Sequence, residues 1–385
     1  MPELAPTAAA VQHSGIREIV NMVIGRPAGE VVRLEIGEPG FSTPQHIVDA
    51  GAAAAATARY APSAGHMALR EALVRRMARV TGVDVAPEQV VVTQGGVQAC
   101  ALTMTALLAP GDEVLVPDPA WPNYEMIVDM LGGRAVRYPL PAATGFVPDP
   151  DDVVARMTDR TRVLVLNSPG NPTGAVFPRD VVRALVDAAA ARGIVVLSDE
   201  VYDELIFEGE AAAAITLDDE HVVAVHSFSK TYAMTGWRVG WAVAPTWLAP
   251  TMAKLQEPQL SCIPDLTSAG ALAALEGPQD AIAVMREAYR ARRDLCVELI
   301  TAAGIDVAVP RGAFYLMVPL AAGVDSRLAA IDLVDHGVSV APGTAFGDAA
   351  GDHVRISLAS EEPDLREGIG RLTAWYAATE GGARR

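Results

Sequence analysis

Lysine is nearly missing from this 385-residue chain, in which Lys230 and Lys254 stand against twenty-eight arginines. Wherever a fixed positive charge is needed the sequence uses arginine. A retained lysine such as Lys230 is, from scarcity alone, equally a surface residue in a turn or a sign of chemistry a guanidinium cannot do, since a primary amine loses its proton and forms Schiff bases. Cysteine is scarce as well. Cys100, Cys262 and Cys296 are odd in number and far apart, which argues against a disulfide framework and fits a reducing cytoplasm. Net positive charge is absent: the formal charge is −17 and the pI about 4.8, so a basic surface for nucleic acid or anionic membrane is disfavoured. Hydrophobic residues reach 51% and mean hydropathy is +0.24, yet no uninterrupted apolar run has membrane-spanning length. The stretch from Val97 to Pro110 is too short to span and reads as a buried helix. Met1-Pro2-Glu3-Leu4 lacks the basic start and apolar core of a signal peptide. No HExxH, paired CxxC or histidine cluster points to a metal, and neither GxGxxG nor GxxxxGK[ST] occurs. There is no internal repeat.

What is present is an alternation of apolar strands and helices from about 45 to 255, the pattern of an α/β layer with a largely parallel sheet. Val31 to Ile36 reads as a strand before it, followed by a turn at 37–44 and an alanine-rich helix over 45–58. Glu257 to Pro264 reads as a loop, and an amphipathic helix runs from Gln279 to Ala302. Its Arg286, Arg290, Arg292 and Arg293, interleaved with acids, are expected on a solvated face. Residues 305–360 shift to short strands and turns, a smaller α+β unit closed by a terminal helix.

Chemistry-bearing residues gather where strands end. Val90-Val91-Val92-Thr93 runs into Gly95-Gly96-Val97, a strand-to-helix turn whose free N–H groups favour an anion. Pro117 to Tyr124 sets Trp121 and Tyr124 among prolines, too rigid for a helix, and Trp121 alone would be a core cap. Arg162 to Leu166 empties into Asn167-Ser168-Pro169-Gly170-Asn171-Pro172-Thr173-Gly174, a loop by composition. The strand Ile194 to Leu197 ends at Asp199-Glu200-Val201-Tyr202; Asp199 alone reads as a helix cap, and Glu200 and Asp203 as solvated or capping. Val222 to Val225 leads into Ser227-Phe228-Ser229-Lys230, with Arg238 between Gly236 and Gly240: two hydroxyls and an arginine that suit a phosphate. Arg355 alternates with apolar residues on a strand, where an ion pair is the plain explanation.

The Ser-Phe-Ser-Lys run with Arg238 eight residues on, in Thr235-Gly236-Trp237-Arg238-Val239-Gly240, resembles the cofactor-lysine signature of fold type I pyridoxal-phosphate enzymes. More narrowly it is similar to the class I/II, aspartate aminotransferase-like family, and about eight motifs follow that family's order from Gly37 to Arg355. The resemblance implies a large cofactor domain over 45–280 with a mostly parallel seven-stranded sheet, and a small domain from 1–44 and 281–385. It implies a Schiff base between Lys230 and pyridoxal 5'-phosphate, and transfer of the α-amino group of an L-amino acid to a 2-oxo acid in a ping-pong cycle. Asp199 would hold the ring nitrogen protonated, Tyr202 and Asn171 would bond the phenolic oxygen, and Trp121 would stack on the ring. Ser227, Ser229, Arg238 and the amides of Gly95, Gly96 and Val97 would anchor the phosphate. Tyr60 would reach the phosphate of the neighbouring subunit, which makes a homodimer necessary. Gly37 and Arg355 would receive the substrate α-carboxylate, Asn171 and Trp121 lining the same space. Val97 stands where one subgroup has a lysine for a distal carboxylate, so the reading leans towards neutral or aromatic substrates over dicarboxylic ones. The same scaffold also serves β-lyases and decarboxylating or cyclising enzymes, and a ligand-binding homologue without turnover stays an alternative.

Overall fold

The computed structural model describes residues 3–383 apart from 12, 28 and 211, and no side chain beyond Thr379; Met1 and Pro2, part of the reading of the chain's start, lie outside the described residues. Twelve strands follow in order: β1 (Val32–Arg33), β2 (Val90–Thr93), β3 (Glu113–Asp118), β4 (Arg134–Pro139), β5 (Thr161–Asn167), β6 (Val195–Asp199), β7 (Val222–Ser227), β8 (Gly240–Val243), β9 (Tyr315–Pro319), β10 (Val338–Ser339), β11 (Ala341–Pro342) and β12 (His353–Ser357). Seven of them form one sheet in the order β2-β8-β7-β6-β5-β3-β4, parallel except for β8, which runs against both its neighbours. The expected α/β fold is the observed one.

Both faces of this sheet are covered, which is why its strands read as continuous apolar runs. Leu164, Leu166, Val222 and Ala224 face one buried cluster, while Val163, Val165, Val223 and Val225 face the other. A third core joins the two ends of the chain: Ile19, Val23, Val32 and Leu34 pack with Met285, Tyr289, Phe314, Val338 and Leu365. Its strands are β1 paired in parallel with β10, and the antiparallel set β11-β12-β9. Among the described residues no helix is long and apolar enough to cross a membrane.

Several local expectations need correction. The strand over 31–36 pairs only at Val32–Arg33, because its partner β10 is itself two residues long. The helix Ala249–Leu260 continues through Pro258, so only 261–264 is loop; a proline one turn from a helix end costs a single backbone bond. A helix opens at Asn123 directly after Pro122, placing Tyr124 in its first turn rather than in rigid coil. A helix over Ser326–Asp335 interrupts the short strands of 305–360. Finally, Arg292 and Arg293 are buried: Arg292 donates to the Ala359 carbonyl (2.9 Å) and Arg293 to the Pro310 carbonyl (2.7 Å), so helix Asp280–Ala302 turns these two inward. Arg290 does pair on the surface, with Glu287 and Asp294.

Candidate active site

The parallel strands all finish at one edge, and ligands in open α/β sheets bind beyond the carboxyl ends of strands. Here β2 delivers Gly95 and Gly96, β3 leads to Trp121, β5 to Asn167 and Asn171, β6 ends on Asp199, and β7 ends on Ser227 before the one-turn helix that carries Lys230. Arg238 precedes the antiparallel β8, so it reaches the same edge from the opposite direction. The third core closes the space from above with Gly37, Tyr315 and Arg355. The cavity, open to solvent on one side, is about 540 Å³.

Lys230 sits in its floor. Its Nζ donates to the Gly37 carbonyl at 2.6 Å. Burial draws the amine down from 10.5 to about 8, with Glu38 opposing and Arg355 and Arg238 assisting. Asp199 is 3% exposed, and burial pushes its carboxyl up from 3.8 to about 6 against the pull of three partners. Tyr124 donates its hydroxyl to Asp199 Oδ2 at 2.5 Å, the Val201 N–H reaches Oδ1 at 3.3 Å, and His226 lies nearby. Tyr202 shares a hydrogen bond with Tyr315 (2.9 Å between hydroxyl oxygens). Arg355 is 2% exposed, lies between the rings of Tyr315 and Phe346 (4.4 and 4.8 Å to the centroids), and donates to Asn171 Oδ1 (3.0 Å) and the Glu35 carbonyl (2.5 Å). It pairs with no carboxylate among the described residues, and its Nε is buried without a partner, so the ion pair that would explain it structurally is absent. Ser227 caps the lysine helix by accepting the Ser229 N–H (3.1 Å). Trp121 stands edge-on to Tyr124, 5.4 Å between ring centres.

Glu200 and Asp203, expected in solvent or as caps, are buried. Glu200 accepts the Ser198 hydroxyl (2.8 Å) and the Ala214 N–H (3.0 Å). Asp203 binds Arg76 Nη2 (2.9 Å) and His226 Nδ1 (3.1 Å). Burial would raise the Asp203 carboxyl, but Arg76 and His226 outweigh it and hold the group at about 2. The turn after β6 folds back beneath the helix Met67–Thr81, which is how a strand-end acid reaches Arg76. No local pattern in the sequence signals this network, or Tyr124 on Asp199, or Asn167, whose side chain donates to the Asp199 carbonyl (3.0 Å) and accepts the Asn171 N–H (2.8 Å).

Twelve of the fourteen sequence-derived site residues line this one cavity: Lys230, Asp199, Tyr202, Gly96, Val97, Trp121, Asn171, Ser227, Ser229, Arg238, Gly37 and Arg355. Gly95 lies just behind, against Arg238. Tyr60 is 91% exposed and lies outside its own chain's cavity.

The donor set suits pyridoxal phosphate on its own chemistry. Gly95 has φ +77°, and a Cβ there would stand 2.6 Å from Arg238 Nη2, so the glycine keeps free the space between the helix Gly96–Leu107 and that guanidinium. A buried carboxylate suits a protonated ring nitrogen, and a buried amine with a lowered pKa suits an aldehyde.

The comparisons agree. The family model described as "Aminotransferase class I and II" matches residues 29–372. The aspartate/prephenate aminotransferase of Thermus thermophilus is 41% identical over 355 residues, 90% of this chain and 91% of that protein. The arginine–pyruvate transaminase of Pseudomonas aeruginosa is 38% identical over 361 residues, 92% of each. Among solved structures, the Thermus thermophilus aspartate aminotransferase with maleate superposes with a TM-score of 0.93 at 38% identity, covering 97% of this chain and 100% of that one. With sequence, backbone and cavity in agreement over nearly the whole length, this chain belongs to the class I and II aminotransferases, the pyridoxal-phosphate-dependent transaminases.

Proposed function

We propose that the cavity moves the α-amino group of an L-amino acid to a 2-oxo acid, with each sequence-derived residue acting at the atom its position allows. The observation that carries this reading is the buried Lys230 amine, depressed to about 8 and sharing one cavity with the buried Asp199 and the ion-pair-free Arg355. When bound, pyridoxal phosphate supplies an aldehyde for that amine and an electron sink that acidifies the substrate's α-proton. Ser227, Ser229, Arg238 and the amides of Gly95–Val97 hold the phosphate end. Asp199 keeps a proton on the ring nitrogen, and Tyr124 and the Val201 N–H keep Asp199 ionised and aimed. Tyr202 and Asn171 bond the ring's oxygen, and Trp121 covers its face. Arg355, braced by Asn171 and the Glu35 carbonyl, clamps the α-carboxylate beside Gly37. Lys230 Nζ takes the α-proton and returns it on the neighbouring carbon, general base and then acid.

Residues 45–280 act in this reading as the cofactor-bearing domain, and 1–44 with 281–385 as the smaller one that brings Gly37 and Arg355. The enzyme works as a homodimer in the cytoplasm. The exposed Tyr60, together with Met67 (47% exposed) and Leu266 (39%), supports a face covered by a second subunit whose phosphate site Tyr60 completes. Lys230→Ala is the decisive test. It is expected to abolish transfer from amino acid to 2-oxo acid, while borohydride is expected to fix the cofactor on Lys230 of the unaltered enzyme. Transfer that persists in the variant, or cofactor fixed on a different residue of the unaltered enzyme, overturns the assignment.

A further inference from the structure

Behind the cavity, and lining none of it, Arg76, Asp203 and His226 form a polar cluster around the fully buried Trp241. Asp203 receives Arg76 Nη2 on both its oxygens (3.0 and 2.9 Å) and His226 Nδ1 on Oδ2 (3.1 Å). Arg76 keeps that carboxylate ionised, so Nδ1 is the imidazole nitrogen that donates to it. The His226 ring stacks on Trp241, its cross-strand partner, at 4.9 Å and 16°, and the Arg76 guanidinium stands 5.0 Å from the same indole.

Stability alone does not account for this cluster. A buried ion pair seldom stabilises a fold more than apolar side chains of the same volume would. Here Arg76 Nε and Nη1, His226 Nε2 and Trp241 Nε1 are moreover buried with no hydrogen-bond partner among the described residues. Its place in the chain offers another account. Asp203 closes the turn that opens at Asp199: the Glu200 N–H bonds the Val225 carbonyl (2.8 Å), the Val201 N–H bonds Asp199, and Tyr202 lines the cavity. His226 immediately precedes Ser227, which caps the helix carrying Lys230. The bond from His226 to Asp203 therefore joins the turn that aims Asp199 and Tyr202 to the strand end that aims Ser227 and Lys230. Arg76 ties the same carboxylate to the helix Met67–Thr81.

We propose that His226 is a positioning residue, which through Asp203 locks these two segments into one frame around the cofactor. The proposal rests on the transaminase reading above. A flat molecule held at its ring nitrogen, its oxygen, its phosphate and its aldehyde carbon tolerates little movement of one grip against another.

The test compares two variants loaded with pyridoxal phosphate. His226→Phe keeps a flat ring on Trp241 and leaves Asp203 paired with Arg76, but removes the donor. His226→Asn carries an amide nitrogen as many bonds from Cα as Nδ1, and so can restore it. Visible circular dichroism per bound cofactor, the cofactor dissociation constant and turnover per loaded site are measured beside the Tm of the apoprotein. In His226→Phe the dichroism is expected to fall, affinity to weaken about tenfold and turnover per loaded site to drop about tenfold to a hundredfold, the scale of a misplacement of about 1 Å. His226→Asn should recover most of each. Asp203→Asn, whose one acceptor oxygen cannot serve Arg76 and His226 as the carboxylate does, is expected to repeat the His226→Phe pattern and stands in for that variant if it fails to fold. A lowered Tm with wild-type dichroism, affinity and turnover per loaded site would make the cluster structural only and overturn the proposal, as would equal losses in His226→Phe and His226→Asn. A wild type that takes up no cofactor, or takes it up without turnover, overturns the transaminase reading itself.

Discussion

Replacing Asp199 by asparagine should push stability and activity in opposite directions. The carboxyl lies 3% exposed, and burial lifts its pKa from 3.8 to about 6. A raised folded-state value means the fold prefers the protonated form, so stability is highest below pH 3.8 and falls as pH rises through 6. At about 1.4 kcal/mol per pH unit, the apoprotein at pH 7.5 carries a penalty of about 3 kcal/mol from this one group. Asparagine removes the charge while keeping the shape. Its oxygen still accepts the Val201 N–H, and its amide faces the Tyr124 hydroxyl, which then accepts instead of donating. With an unfolding entropy of ~0.8 kcal/mol/K for a chain of this size, the apoprotein's Tm should rise by ~4 °C at pH 7.5, and by about half that at pH 5. The holoenzyme should lose activity by several kcal/mol of barrier, because an amide cannot keep the ring nitrogen protonated. Scanning calorimetry of the apoprotein from pH 5 to 8, beside steady-state turnover, reads both effects. An apoprotein destabilised by the change, a Tm increment independent of pH, or wild-type turnover would each refute the reasoning.

Arg355→Ala should raise the amino-acid KM by about tenfold to a hundredfold, the loss of a charge-assisted clamp; an unchanged KM would place the carboxylate elsewhere. Uptake of pyridoxal phosphate by the apoprotein requires the neutral Lys230 amine, which burial holds at about 8. The neutral fraction is about a tenth at pH 7, a half at pH 8 and nine-tenths at pH 9, so the stopped-flow uptake rate should climb from pH 6 to about 9 and level above it. A flat profile would contradict the assigned pKa. Tyr60→Phe should weaken cofactor affinity severalfold. Mixed with Lys230→Ala subunits it should yield hybrids with one site of wild-type affinity, whereas a Tyr60 acting within its own chain would give none.

Much of this site was legible because it is written in short contiguous pieces. A strand ending in Ser-Phe-Ser-Lys, a diglycine turn and an Asn-Pro-rich loop each carry their local geometry, and the parallel sheet gathers them at one edge. What stayed hidden depends on distant partners. Asp203 reads as a surface acid until the helix Met67–Thr81 brings Arg76 against it, and Arg293 reads as solvated until Pro310 offers its carbonyl. Tyr124 was obscured by the prolines before it, since a proline breaks a helix only in its interior and sits comfortably ahead of a first turn. Two-residue strands such as β1 and β10 have no pattern long enough to read at all.

The parallel pairing of Val32 with Val338 has a consequence for biosynthesis. Ile19, Val23 and Leu34 bury themselves against side chains that leave the ribosome about 300 residues later, a wait of roughly 15–60 s at ordinary elongation speeds. Through that interval the first apolar helix has nothing of its own to lean on, while the central sheet can already assemble behind it. Nascent chains halted before residue 338 should therefore engage chaperones through their leading segment and let go once the closing strands emerge.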